Sequence, residues 1–459
     1  MLQADTLPAS WYWLLCHFRS CFTAPSFTTF VTLVSGMIAR PAHRTVTGML
    51  IAAGASRIWH HSRAHRFFSQ AAWSVDQVSM VLLAVIVREL LPAGVPLLIA
   101  GDDTLFTRSG RKVHAAGWHH DASVKTKKSD KDHRLRWGNC WVVAGIVITP
   151  PLLDRPVCLP VAFALWTDDA PGSEFATQSK QVLLARLVTM IAQACPDRRI
   201  HVVADCWYAG TAGASSAATG AARHRDFPTA VTLTSRLRAN TALWCIATPT
   251  PGRPGTPKRI GDKIGTPQDL AEHPDTVWTP STINRYGRTD TVTLADTVCL
   301  WYGVYRSRAI RVILLRDRGI THGYGIAVFT TDLHTPANEI ISRYAQRWSI
   351  EVAFADAKQT TGVGEARNRT PQAVERTVPI GLITQSLIVV WYTRHGTHDV
   401  THRRHEAPWY RTKTRPAYHD MITQLRRVMI AARNHGTNPD QPTLQEIQAV
   451  ILAWEQAAA

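Results

Sequence analysis

Tyr344, Arg347, Glu351 and Lys358 follow one another at spacings of three, four and seven, inside a stretch from 340 to 361 that contains neither Pro nor Gly. A helix turns about 100° per residue, so these four groups fall within an arc of roughly 60° and form one polar ridge. Ile350, Ala353, Phe354 and Ala357 make an apolar stripe on the other side, suited to hold the helix against a core. A phenol, a guanidinium, a carboxylate and an ammonium on one ridge can grip phosphates and, with a metal ion, position a phosphodiester. The plainer alternative is a solvated face carrying an Arg347–Glu351 ion pair at i,i+4.

Two further acids stand where strands would deliver them. The apolar run 96–101 ends in Asp102-Asp103-Thr104, and the run 199–204 ends in Asp205. Buried strands that end in an acid place charge at the rim of an α/β sheet, although such residues also cap turns and helices. Three carboxylates from two strands and a helix can hold Mg²⁺, which takes oxygen ligands and keeps several waters. Two such ions roughly 3.5–4 Å apart activate an attacking hydroxyl and stabilise a leaving oxygen in phosphoryl transfer.

In these features the chain resembles the DDE transposases of bacterial insertion sequences, in the class marked by a Tyr-Arg-Glu-Lys signature around the third acid. The match includes the spacing from Tyr344 to Lys358, the Trp348 after the arginine, Gly362 and Gly364 with basic Arg367 and Arg369, the form Asp102-x-Thr104, and Asp205. It spans about 97 to 369. The resemblance implies an α/β protein with an RNase H-like catalytic core, and a metal-binding and catalytic triad of Asp102, Asp205 and Glu351. It implies two Mg²⁺ ions, with Mn²⁺ as a substitute, and phosphates of the transposon end on Arg347 and Lys358. Tyr344 would bind a backbone phosphate near the cleaved bond. Asp103 neighbours Asp102 and is the alternative first ligand; the family form Asp-x-Thr favours Asp102.

The 459 residues allow two to three domains. Basic residues exceed acidic ones by 17, a balance that suits a polyanion without distinguishing DNA, RNA or an anionic membrane. Arginine supplies 41 of the 51 basic residues; its planar fork suits phosphate, and a GC-rich genome gives the same bias. Eight scattered cysteines without a CxxC pair or zinc spacing read as reduced thiols of a cytoplasmic protein. Asp5 and the missing basic n-region argue against a signal peptide, and the apolar stretch 78–100, broken by Arg88, Glu89 and Pro92, reads as helix, turn and strand, so no membrane span is expected.

Residues 1–92 read as helical, with breaks near Pro41, Gly54 and Ser74 and a cationic, aromatic cluster at 60–68 that an ordinary amphipathic helix explains; the resemblance implies instead that they form a helical DNA-binding domain. Residues 93–240 would form the first part of the core, with strands at 138–149 and 158–166, a helix at 179–194 and strands ending at Asp205 and at 229–234. The 146-residue interval from Asp205 to Glu351 exceeds what the core needs. It predicts a β-rich insertion at 241–333, opening on a Pro- and Gly-rich link and carrying strands at 291–294, 298–304, 309–315 and 325–330. In the resembling family an aromatic in this position can stack on an extruded base; Trp301, Tyr302 and Tyr324 are the candidates, with core packing as the plainer reading. Residues 334–372 hold the Glu helix, and 373–459 a helical C-terminal region.

Arg108, Arg111, Lys112, Lys125, Lys127, Lys128, Lys131, Arg134 and Arg136 crowd a stretch without apolar periodicity and predict a phosphate-binding hairpin beside the site. His119 and His120 alternate in a strand and so do not share one ion. Arg236, Arg238, Arg403, Arg404, Arg411, Lys413 and Arg415 are further basic candidates by charge alone. The reading that follows is metal-dependent cleavage at insertion-sequence ends and strand transfer into target double-stranded DNA, with a dimer on the paired terminal inverted repeats. A structure-specific nuclease with the same core and a non-catalytic, transposase-derived DNA-binding protein are the alternatives.

Overall fold

The computed structural model describes residues 7–39, 45–121, 135–167, 179–209, 230–247, 259–396, 409, 413–435 and 452. Its centre is strand β1 (Leu97–Thr107). The sequence predicts that this strand stops at Asp102, yet it runs on to Thr107. β3 (Leu135–Ile148) explains the difference, pairing antiparallel with it from Leu98↔Val147 to Thr107↔Gly138 and supplying backbone partners past the acids. Asp102 and Asp103 thus lie within the strand and point to opposite faces. On its other side β1 pairs in parallel with β5 (Ile200–Ala204), which pairs in parallel with β6 (Val231–Arg236).

β2 (Gly117–His120) and β4 (Val157–Trp166) pair with successive parts of β3's outer edge. Parallel strands need a crossover, here α6 (Lys180–Ala194), whose first turn is capped by the Ser179 side chain accepting from the Val182 amide. Its Leu183, Leu184, Leu187 and Ile191 are buried. A Cβ built on Gly101 would stand 2.6 Å from the Leu184 side chain, so α6 packs closely on β1 immediately before Asp102 and a side chain there would displace Leu184.

The β-rich stretch joins the same sheet. β9 (Thr279–Arg285), β10 (Arg288–Cys299), β11 (Ile310–Arg316) and β12 (Ile326–Thr330) pair antiparallel in chain order, and β12 pairs antiparallel with β6. Ten strands therefore form one hydrogen-bonded sheet among the described residues. β7 (Leu243–Ile246) and β8 (Ile260–Gly265) form a separate pair, followed by the short helix α7 (Pro267–Glu272). The strand expected at 298–304 ends at Cys299 and turns into α8 (Tyr302–Tyr305). Val304 and Tyr305, on this helical turn, are both buried. Trp301 packs on Phe329 at 5.4 Å, as a core residue does.

The N-terminal helices are α1 (Ala9–Cys16), α2 (Ala24–Ala39), α3 (Val46–Ala52), α4 (Ser62–Ser69) and α5 (Val75–Leu90), the last capped by Ser74. They pack on α11 (Pro371–His395) and α12 (Tyr418–His435). Buried Arg376 donates to the carbonyls of Phe68, Ala71 and Trp73 at 3.2, 2.9 and 2.5 Å, and Arg426 donates to that of Ile38 at 2.6 Å. In the cationic segment, Arg63 lies 3.7 Å over the Trp59 ring and donates to Thr29, tying α4 to α2. Among the described helices, Pro371–His395 alone is long and apolar enough to cross a membrane, and 94% of its most apolar window is buried inside the fold.

Candidate active site

The expected single helix is two helices and a turn: α9 (Ala337–Ala345), α10 (Trp348–Asp356) and a π-helical turn, Ala357–Thr361. The break lies at Gln346 and Arg347. There the Ser349 hydroxyl donates to the Gln346 carbonyl at 2.7 Å, while the Ser349 and Ile350 amides bond three residues back. A local serine bond thus competes with the regular ladder. Gly362, at φ 64°, ends the π turn.

The polar ridge is correspondingly bent, and its members meet different partners. Arg347 spans two acids, donating from Nη1 to Asp102 Oδ2 at 3.1 Å and from Nη2 to Glu351 Oε1 at 2.7 Å. Burial opposes its charge, yet Asp102, Tyr344 and Glu351 outweigh that cost and raise its pKa. Burial, with Asp103 and Glu351 nearby, pushes the Asp102 carboxyl up to about 7 against the pull of Arg347. Tyr344 is pushed up to about 12, chiefly by burial; Asp205 adds to the rise, and Arg347 and Arg236 oppose it. Lys358 lies 5.4 Å over the Phe106 ring.

Asp205 follows β5 directly. The last registered pair is Gly101↔Ala204, so Asp102 and Asp205 are the next residues on neighbouring parallel strands, whose axes lie about 4.8 Å apart. The Asp205 carbonyl accepts from the Ser235 hydroxyl at 2.9 Å and the Tyr208 amide at 3.0 Å. Asp103, the alternative first ligand, faces away and accepts from Lys180 Nζ at 2.7 Å, Tyr208 Oη at 2.9 Å and Cys140 Sγ at 3.4 Å.

Carboxylate oxygens are the donors that hard divalent cations take. Asp102 and Glu351 already share one cationic group, Arg347. The residues fit such an ion by chemistry. Among the described residues no three His, Cys, Asp or Glu side chains are gathered tightly enough to hold one ion, so two acids meet while Asp205 stands on the next strand.

The basic segment divides. Arg108 turns inward, donating to Asn139 Oδ1 at 2.8 Å and to the Gly364 and Ala366 carbonyls at 2.9 and 2.5 Å, so it clamps the loop after the π turn and holds no external phosphate. Arg111, Lys112, Arg367 and Arg369 are exposed; Lys125, Lys127, Lys128, Lys131, Arg134, Arg403, Arg404 and Arg411 lie outside the described residues. Arg415 pairs with Asp154 at 2.7 Å, and Lys413 with Asp420.

Sequence reasoning missed a second network behind α9. Asp332 accepts from Thr335 Oγ1 at 2.7 Å, the Thr335 and His334 amides at 3.1 and 3.2 Å, and Arg343 at 3.1 Å. Burial opposes its charge, but these bonds bring its carboxyl down to about 2. The spacing Asp332-x-x-Thr335 ahead of Pro336 is a turn signal that could have marked it.

Residues 17–298 match the family described as DDE superfamily endonuclease. The match includes Asp102, Asp103 and Asp205 and ends before the segment that carries Tyr344, Arg347 and Glu351. No curated protein matches the chain. Nucleases of this superfamily act on DNA and generally use divalent metals. With more than half its length matched and an acid-bearing α/β sheet at its centre, the chain belongs to the DDE superfamily endonucleases.

Proposed function

We propose that the protein is a cut-and-paste transposase of a bacterial insertion sequence, acting in the cytoplasm on the element's terminal inverted repeats as a dimer. Asp102, Asp205 and Glu351 are its catalytic acids, and they would hold two Mg²⁺ ions. The observation that carries this reading is the Arg347 bridge, which brings Glu351 beside Asp102 across 249 residues of chain. Two features support it further: the parallel register beside Asp205, and the central order β4-β3-β1-β5-β6, an antiparallel set of three followed by two parallel strands, the arrangement expected of an RNase H-like core.

Bound divalent cations would neutralise the phosphodiester and activate the attacking oxygen. Arg347 and Lys358 hold phosphates of the transposon end, and the Tyr344 phenol hydrogen-bonds a backbone phosphate. Arg111, Lys112, Lys125, Lys127, Lys128, Arg367 and Arg369 add further phosphate contacts. Water cleaves the strand to free a 3′-hydroxyl, which then attacks target DNA.

The test is plasmid cleavage in Mg²⁺ with DNA carrying the element's ends. Asp102→Asn, Asp205→Asn and Glu351→Gln are each expected to lower cleavage at least about 1,000-fold while end binding stays within about threefold. Nicking by Glu351→Gln at the parent rate would defeat the assignment. Joining of a precleaved end separates a transposase from a nuclease with the same core.

A further inference from the structure

Asp103 belongs to none of the roles above, although its side chain is among the most fully committed near the site. Gly101 and Asp103 share the face of β1 that α6 covers, opposite the face of Asp102. Both Asp103 oxygens are taken: Oδ1 by the Tyr208 phenol, and Oδ2 by Lys180 and the Cys140 thiol. Tyr208 is 2% exposed and sits on the short 3₁₀ turn Cys206–Ala209, directly after Asp205. Its amide holds the Asp205 carbonyl from the same turn. A single side chain therefore fixes the turn carrying the second acid to the residue beside the first acid, while Lys180 ties both to the start of α6.

We propose that Asp103 is a positioning residue which, through Tyr208 and Lys180, sets the separation of Asp102 and Asp205. This rests on the proposed role of those two acids. Partners that orient a metal's ligands typically contribute 10–100-fold to metal affinity, and site geometry tolerates only about 0.5 Å of displacement. Asp103 would thus govern metal affinity without touching the metal.

The experiment titrates Mn²⁺ alone into the full-length protein by calorimetry, with folding followed by circular dichroism. Tyr208→Phe is expected to weaken Mn²⁺ binding by about tenfold or more. In cleavage assays it should raise the Mg²⁺ needed for half-maximal rate, with the rate at saturating Mg²⁺ kept within about twofold. Asp103→Asn leaves one acceptor oxygen for two donors, Tyr208 and Lys180, and should weaken Mn²⁺ binding by about tenfold, whereas Asp102→Asn should abolish it. Parent-like Mn²⁺ binding by Tyr208→Phe overturns the proposal. So does loss in Asp103→Asn equal to that in Asp102→Asn, and this comparison decides the matter if Tyr208→Phe does not fold. Parent-like Mn²⁺ binding by Asp102→Asn, Asp205→Asn and Glu351→Gln together would instead overturn the metal-site reading itself.

Discussion

His201 shows how one side chain near the site couples folding to pH. Its Nδ1 lies 2.7 Å from Thr232 Oγ1 and 3.9 Å from Asp332, and burial, helped by Arg343, lowers its pKa to about 4. Between that value and the ordinary 6.5 the unfolded chain binds a proton that the folded one refuses, so stability falls as pH is lowered through this window. The full contribution is about 3 kcal/mol. Asp102, held up to about 7, and Asp356, held up to about 6 by burial, act with the opposite sign, favouring the fold at lower pH. The component is therefore read by difference: His201→Asn should be less destabilised than the parent between pH 6.5 and 4, and identical denaturation slopes would refute it. At this scale the residue types and spacings singled out Asp102, Arg347 and Glu351, which the structure brings into contact, because they are visible in one dimension. They could not display that Arg108 and Asp103 are spent internally, since their partners Gly364, Ala366, Lys180 and Tyr208 lie up to 258 residues away.

At the level of elements, Arg108 clamps β1 to the loop that follows the π turn. Replacing it with Ala leaves the Gly364 and Ala366 carbonyls and Asn139 without their donor, at a cost of about 3 kcal/mol. A fall in melting temperature of several degrees is expected, and a change below about 1 °C would contradict the clamp. Gly364, at φ 96°, has no space for a side chain, because a Cβ there would stand 2.5 Å from the Phe106 ring. Strands β3 and β4 and helix α6 were legible from their apolar patterns and from Ser179 as a cap. The extension of β1 past Asp102 was not, because a charge within a strand is tolerated when a neighbour such as β3 completes the ladder. The break before α10 was hidden too, since it comes from the Ser349 hydroxyl and from no proline or glycine.

Across the whole molecule, basic residues exceed acidic ones by 17, and each basic side chain that contacts a DNA phosphate steepens the salt dependence of binding. Arg111 and Lys112 stand exposed in the turn beyond β1. Changing both to Gln should reduce the slope of log affinity against log salt by about 2 and leave the melting temperature unchanged. An unaltered slope would remove them from the DNA-contacting surface. The single sheet could not be foreseen from sequence, because the β12–β6 pairing that unites its halves joins segments about 95 residues apart. That sheet also decides where the protein can yield. β1 pairs with β3 from Leu98 to Thr107 and with β5 from Leu97 to Gly101, whereas β9 is paired on a single side. In heavy water, label should enter early at the β9 edge and late at the doubly paired stretch of β1 from Leu98 to Gly101, on the timescale of global opening. A shift of the helical wall carrying Arg347 and Glu351 would open the site without breaking the β1–β3 ladder that forms the floor beneath it.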